Sequence, residues 1–368
     1  MSDHSYPTWL EVNLSAIESN TKAIITDVNL PLMAVVKANA YGLGSVEVAR
    51  SALTAGASQL AVARFGEARV LREAGIQAPI LVLGMVTPQE VDEAISLDVT
   101  LTMYSFDIAR VFGERGKAAG KPVRAHLKVE TGMSRLGVFA EEVLELSRFA
   151  FQEGIIVQGM YSHYAMADTT DHPLTAFQKD QFKRAVDILR ENDLLPEFVH
   201  LANSAGTYFE KDAHYNLVRA GSAITGIYFR YDKPFPQTMR RVASLKTSLA
   251  SCKTIPKGWG IGYGQHYITS KDELIGSVPF GYGDGFRRIP GNEMLIGGKR
   301  VPVVGTECMD QTMIKLPEAY EMGSEIVIFG QQGSEEITLE ELAKKWKTVE
   351  VDVTTNINPR VPRVYIRD

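Results

Sequence analysis

LMAVV (32–36) and QLAVA (59–63) are two short apolar runs separated by a segment of helical length, and their reading decides the fold. Neither alternates polar with apolar residues, so each suits a strand covered on both faces, as in a parallel sheet. The same grammar continues outward in PILVL (79–83), VTLTM (99–103), VRAHLKV (123–129), IVQGMY (156–161), EFVHL (197–201) and NLVR (216–219). Amphipathic stretches such as GEARVLREAG (66–75) and PLTAFQKDQFKRAVDILREN (173–192) lie between them, and Ser15 with Glu18 predicts a capping box opening an earlier helix. Eight strand candidates alternating with helices predict an α/β fold, an N-terminal (β/α)8 TIM-like barrel over 10–232. An open doubly wound sheet uses the same alternation and stays open as the alternative.

From about residue 232 the pattern changes. KPFPQTMRR is a turn-rich junction, followed by β-type runs punctuated by glycine: VASLKTSLASCKTI, ELIGSVPF, EMLIGG, RVPVVG, QTMIKL and EIVIFG. Only TLEELAKKWKTV (338–349) reads as a helix, with Thr338 and Glu341 as its capping box. Residues 233–368 therefore read as a mostly β domain, with which residues 1–9 could pack. The 368 residues fit this count at ~150 per domain.

Composition narrows the function. With 39 Lys and Arg against 44 Asp and Glu the net charge is −5, and no basic block suggests a nucleic-acid footprint. No apolar run reaches the ~18 residues of a membrane span, and MSDHSYPTWLEVNL does not read as a signal peptide. Cys252 and Cys308 make no disulfide framework, and the seven histidines have no zinc spacing. The expectation is a soluble, cytoplasmic protein without a structural metal site.

Barrel active sites cluster where strands end. The first strand candidate runs into Lys37, the fifth ends near Lys128 before Arg135, the sixth at Ser162 and His163, the seventh at Asn203 and Ser204, and the eighth at Arg219, Gly221 and Ser222. A strand-end lysine can snorkel to solvent. A desolvated one, walled by apolar residues, can form an imine. Small residues, hydroxyls and amides after strands seven and eight can cradle a phosphate. An imine-forming lysine facing such a cradle suggests pyridoxal 5′-phosphate.

VVKANAYGLG (35–44) resembles the cofactor-lysine signature of bacterial alanine racemases, and KVETGMSRLG (128–137) resembles that family's KxDTGMxRLG segment. HLANSAGT (200–207), VRAG (218–221), GYGDGFRR (281–288), CMDQTMI (308–314) and RVPRVY (360–365) follow in the family's order and spacing. The resemblance implies a barrel plus β-domain homodimer with shared active sites, interconverting L- and D-alanine with pyridoxal 5′-phosphate and supplying D-alanine for peptidoglycan. It implies Lys37 as cofactor lysine and one base, with the partner subunit's Tyr263 as the other; from the residues alone, Tyr263 is a turn aromatic among glycines. Arg219 is implied to face the pyridine nitrogen, although a strand-end salt bridge fits the sequence too. Tyr41, Ser204, Gly221 and Ser222 are implied at the phosphate, His163 and Asn203 along the ring, and Arg135 at the substrate carboxylate and the cofactor's phenolic oxygen; from the partner subunit, Met309 is implied at that carboxylate, and Tyr282, Cys308 and Asp310 at the entrance. Cys308 also reads as a small buried thiol. Lys128 matches a position that is carbamylated in some members. Pro359, where some members place a phosphate-binding tyrosine, Gly283, Ser134 and Glu130 depart from the pattern. A same-fold racemase preferring serine or a broader set, a serine hydrolase built on Ser204, and a non-catalytic cofactor carrier are the alternatives.

Overall fold

The computed structural model describes residues 6–228 and 236–368, which divide into two compact units. The expected boundary at residue 232 lies outside the described residues. One unit holds residues 16–40 and 44–241; the other holds the chain up to Ser15, residues 41–43 and 242–368.

The first unit contains all eight parallel strands that the apolar runs predict. Leu32–Val35, Gln59–Val62, Ile80–Val82 and Val218–Ala220 form one four-stranded sheet, in which Leu32–Val35 pairs with both Gln59–Val62 and Val218–Ala220. Leu101–Met103, Arg124–Lys128, Ile156–Tyr161 and Phe198–His200 form the other. A parallel bridge from Leu81 to Thr100 joins the sheets on one side. On the other, the Asn216 N–H donates to the Val199 carbonyl at 3.3 Å, and the Val199 N–H returns to Asn216 Oδ1 at 2.8 Å. The two parallel sheets are thus linked at both edges, through Leu81 with Thr100 and through Asn216 just ahead of Val218–Ala220, which fits a (β/α)8 TIM-like barrel better than an open sheet. Met33, Val35, Ala61, Leu81, Tyr161 and Leu217 pack together as a buried cluster.

Local chemistry sets the helices between the strands. Pro88–Ser96 opens with Thr87 and Glu90 in a reciprocal capping box and proline in its first turn. Phe106–Ala119 starts on the Ser105 side chain and stops at Gly120 in the left-handed region. Ser15 behaves differently from expectation. The helix begins one residue earlier, Leu14–Val28, so Ser15 lies within its first turn, and its hydroxyl accepts instead from the Asp368 N–H at 3.3 Å.

The second unit is mostly β. Its larger sheet runs Lys299–Pro302, Glu293–Ile296, Glu325–Gln332, Ala243–Ser248, Thr8–Asn13 and Arg363–Ile366, with Glu335–Ile337 paired to Glu325–Gln332. The chain's early strand, which carries no glycine or turn signal to announce it, is therefore held between two strands of the C-terminal region, antiparallel to Ala243–Ser248 and parallel to Arg363–Ile366. Ser251–Ile255, Glu273–Val278 and Thr312–Lys315 make a second sheet. The expected helix is present as Leu339–Trp346 with Thr338 as its cap. A second helix, Glu350–Thr355, follows it, contrary to the single one expected; at six residues it is too short for its periodicity to register. Among the described residues no helix is long and apolar enough to cross a membrane, and no three His, Cys, Asp or Glu side chains group as a metal site.

Phe286 is buried here, 5.4 Å from the Phe280 ring centroid and 5.8 Å from that of Trp346. Phe286→Ala should cost about 3–5 kcal/mol through the cavity it leaves, seen as a lower urea midpoint for this unit; an unchanged midpoint would remove the pair of aromatic contacts from the account of its stability.

Candidate active site

Lys37 follows the buried strand Leu32–Val35 and begins a turn of unusual hand. Ala38, Asn39 and Ala40 have φ/ψ of 52/49°, 55/46° and 51/54°, and Tyr41 continues at φ 56°. For L-residues this left-handed conformation costs roughly 1–2 kcal/mol each, so it persists only where surrounding contacts enforce it. Several do. The Ala40 N–H reaches the Val36 carbonyl at 2.9 Å, the Gly44 N–H the Asn39 carbonyl at 2.9 Å, and the Ser45 N–H Asn39 Oδ1 at 2.9 Å. The Ala38 N–H donates to Glu67 Oε1 at 2.5 Å. Burial pulls the Lys37 amine below its ordinary pKa; Arg135 and Arg219 add to the fall, and Glu67 opposes it.

Arg219, in Val218–Ala220, is 2% exposed. Its Nη1 donates to His200 Nδ1 at 2.6 Å and to the His200 carbonyl at 3.2 Å. Its Nη2 reaches the Ser162 and Leu201 carbonyls at 2.8 and 3.2 Å and His163 Nδ1 at 3.3 Å. The guanidinium also lies 5.2 Å from the Tyr161 ring centroid. Burial lowers its pKa to about 10, which leaves it charged at neutral pH. Because a guanidinium only donates, His200 Nδ1 must be the acceptor and Nε2 carries the proton. That Nε2 lies 2.9 Å from His126 Nδ1, so His126 accepts in turn. The two imidazoles are therefore neutral, in agreement with burial and Arg219 lowering both, His126 to about 3. Burial and Arg219 likewise hold His163 well below its usual value.

Lys128 ends Arg124–Lys128 inside the same unit. Its Nζ donates to the Val129 carbonyl at 2.7 Å and to Ser162 Oγ at 3.4 Å, and lies 5.4 Å from the Tyr161 centroid. Burial brings its pKa down to about 7, with Glu130 opposing and Arg219 and Arg135 assisting. Arg135 itself is exposed on the loop that follows. Glu130 organises this loop: its Oε1 accepts from the Gly132 and Met133 N–H groups at 2.5 and 2.7 Å, and its Oε2 from Arg135 N–H at 3.3 Å. Burial works against the Glu130 charge, but these amides and that of Ser134 outweigh it and hold the carboxyl below its usual range. Gly137 closes the loop at φ 126°, where a Cβ would lie 2.7 Å from Glu130 N.

Asn203 caps the short helix Ser204–Phe209 through Oδ1, and its Nδ2 donates to the Tyr164 carbonyl at 3.2 Å, 3.5 Å from His163 Nε2. Ser204 Oγ accepts from the Gly221 and Ala223 N–H groups at 3.0 and 3.4 Å; Ser222 is buried between them in sequence. The barrel unit therefore brings together Lys37, Lys128, Arg135, His163, Asn203, Ser204, Arg219, Gly221 and Ser222.

The remaining sequence candidates belong to the β unit. Tyr41 precedes Gly42, whose Cβ would meet the Thr354 carbonyl oxygen at 2.2 Å. Tyr263 starts a tight turn and is 72% exposed. Tyr282, Cys308, Met309 and Asp310 form one surface: the Tyr282 N–H donates to the Cys308 carbonyl at 3.1 Å and the Gly283 N–H to that of Met309 at 2.8 Å. Arg360 bridges Asp284 at 2.6 Å and Asp310 at 2.8 Å. A Cβ on Gly283 would approach Arg360 Nη2 to 2.9 Å. Cys308 is half-buried and Cys252 likewise, both as free thiols.

Comparison with known proteins places these features in a family. The family model described as alanine racemase, N-terminal domain, matches residues 12–229, and the one described as alanine racemase, C-terminal domain, matches residues 242–365. The chain belongs to the alanine racemase family. It is 41% identical to an alanine racemase of Methanococcus maripaludis over 98% of this chain and 99% of that protein. A crystal structure of alanine racemase from Bacillus anthracis with bound L-Ala-P is similar at TM-score 0.93 and 37% identity, covering 100% of this chain and 97% of that one. A histidine racemase from Leuconostoc mesenteroides has TM-score 0.91 at 28% identity, with 98% of each chain covered. The protein is an amino-acid racemase, and the family supports alanine racemisation.

Tyr161, His200, His126 and Glu67 were not singled out from the sequence of this racemase, although HLANSAGT begins at His200. The signal available was a polar residue inside an apolar strand, RAHLK and FVH, where burial demands a hydrogen-bond partner. Since folding holds His126 neutral to about pH 3, the unfolded chain binds a proton below pH 6.5 that the folded chain does not. Stability should rise with pH across that window and fall on acidification. Nitrogen-15 spectra of the imidazoles at pH 5 should show His126 and His200 neutral; a protonated ring for either would contradict the assigned tautomers.

Proposed function

We propose that this racemase interconverts L- and D-alanine with pyridoxal 5′-phosphate, using Lys37 and the partner subunit's Tyr263 as acid/base groups on opposite faces of the substrate Cα. The observation that carries this reading is Lys37 itself: a half-buried amine just past a strand end, lowered in pKa and followed by a strained turn. Reversal of a stereocentre requires proton removal on one side and delivery on the other, so a second group is needed. Tyr263, exposed on the β unit, is suited to presentation to another copy of the chain. That supports a homodimer with shared sites.

The donor set suits the cofactor. When bound, the cofactor supplies an electron sink that acidifies the substrate Cα–H. Ser204 Oγ with the Gly221 amide, together with Ser222 and Tyr41, would hold its phosphate, and Pro359 offers no hydroxyl there. His163 and Asn203 would line the ring. Arg219, charged and unable to surrender a proton, would meet the ring nitrogen and restrain charge delocalisation, favouring reprotonation over side reactions. Arg135 and the N–H of the partner subunit's Met309 would take the substrate carboxylate, with the partner's Tyr282, the partner's Cys308 and the partner's Asp310 at the entrance. We assign residues 10–232 to the cofactor-binding domain and 233–368 to the β domain, and D-alanine for peptidoglycan as the cytoplasmic role.

The histidine racemase of similar fold favours one second reading, a substrate other than alanine. An assay of L-alanine with added cofactor, coupled to D-amino-acid oxidase, should show racemisation, and alanine should lead serine and lysine in kcat/KM. Alanine trailing by about tenfold, roughly 1.4 kcal/mol in transition-state binding, would overturn the substrate assignment. Arg219→Glu should lower racemisation on the order of a hundredfold and bring a new long-wavelength absorbance with substrate; neither change would sink its role.

Lys128 is proposed as a carbamylation site. With a pKa of about 7, much of its amine is neutral at physiological pH and can add to carbon dioxide, releasing one proton. The resulting anion would neutralise part of the field of Arg219 and Arg135. Native intact mass should be one carbon dioxide heavier in bicarbonate and return to the bare mass in Lys128→Ala; a bare mass throughout would end this assignment.

A further inference from the structure

Three amides converge on one carboxylate beside the reactive lysine. Glu67 Oε1 accepts from the Ala38 N–H at 2.5 Å, while Oε2 accepts from the Ala63 and Arg64 N–H groups at 2.8 and 2.9 Å. Ala63 and Arg64 follow the strand Gln59–Val62, and Glu67 lies in the first turn of the helix Phe65–Glu73. One side chain thus caps that helix and also ties it to the left-handed turn at the end of the neighbouring strand Leu32–Val35. Capping its own helix needs only the Ala63 and Arg64 amides; the bond to Ala38 reaches 29 residues back in sequence. Charge-assisted bonds of this kind are short and roughly twice as strong as neutral ones.

We propose that Glu67 is a positioning residue for Lys37: its carboxylate, bonded to the N–H of the next residue, Ala38, anchors the strained Ala38–Ala40 turn and sets a negative charge beside the lysine. This inference rests on the reading of Lys37 as the reacting lysine. Among the described residues, the charged groups acting on Lys37 are Arg135, Arg219 and Glu67. His163 faces it as a neutral ring. Burial and the two arginines all disfavour the ammonium, and Glu67 alone opposes them. Without that opposition the amine would be a weaker proton acceptor, and without the Ala38 bond the turn would lose a contact that offsets its strain. Neither effect involves touching substrate, so the residue acts through Lys37.

The test compares the full-length chain with Glu67→Gln and Glu67→Asp. Glutamine keeps the length and one acceptor oxygen but removes the charge; aspartate keeps the charge and falls one methylene short of Ala38. Competitive acetylation at a series of pH values, read by mass spectrometry of the Lys37 peptide without added cofactor, gives the ionisation midpoint of that amine. In Glu67→Gln the midpoint should fall by about one pH unit, and with cofactor present kcat should drop roughly ten- to a hundredfold while KM changes little. In Glu67→Asp the midpoint should stay near that of the parent while kcat still falls. A folded Glu67→Gln with the parent's midpoint would overturn the proposal. If that variant does not fold, Glu67→Asp with the parent's kcat would overturn it instead. Absence of racemase activity in the parent would count against the proposed function alone, since the labelling midpoint does not depend on it.

Discussion

A buried guanidinium whose hydrogen-bond acceptors among the described residues are carbonyls and imidazoles, with no carboxylate, is the constraint on which the rest depends. Arg219 is held by the carbonyls of Ser162, His200 and Leu201 and by imidazole nitrogens of His200 and His163. Carbonyl dipoles and a tyrosine face stabilise the cation without cancelling its field. That field then acts on each ionisable neighbour: it helps keep His126, His163 and His200 neutral and helps lower Lys128 and Lys37. A carboxylate paired with Arg219 would have weakened this contribution and left burial, the larger cause, to lower both amines.

The second constraint is geometric. The loops that carry Lys37 and Arg135 are both held by carboxylates accepting backbone amides. Glu130 gathers three amides of the Arg135 loop, and Glu67 gathers the Ala38 amide with two at the start of its own helix. Each carboxylate compensates for a backbone that L-residues or a close approach would otherwise disfavour, the left-handed run at Ala38–Ala40 and the Gly137 contact. Loops fixed in this way can present a lysine and an arginine with the precision usually expected of strands.

Much of this organisation was legible in the residues. Parallel strands buried on both faces leave continuous apolar runs, so all eight barrel strands could be read, and strand ends pointed to Lys37, Lys128, His163, Asn203 and Arg219. The first strand, Thr8–Asn13, was not legible, because its partners lie more than 200 residues away in Ala243–Ser248 and Arg363–Ile366. Ser15 with Glu18 has the composition of a capping box, yet the helix starts at Leu14 and the serine meets the C-terminal Asp368 N–H. Glu67 was hidden by its local role: a glutamate in a helix's first turn is unremarkable until the fold brings Ala38 to it. The histidine pair was hidden because its meaning lies in a tautomer that Arg219 dictates across the barrel.

Among the described residues of the barrel unit, two lysines have a pKa lowered chiefly by burial, Lys37 and Lys128, and the account assigns the reacting role to the first. Borohydride reduction of the cofactor-loaded full-length protein, followed by peptide mapping, separates them. The account predicts a single reduced cofactor adduct on Lys37, with loss of racemase activity in proportion to the label. An adduct on Lys128, or inactivation without label on Lys37, would contradict it.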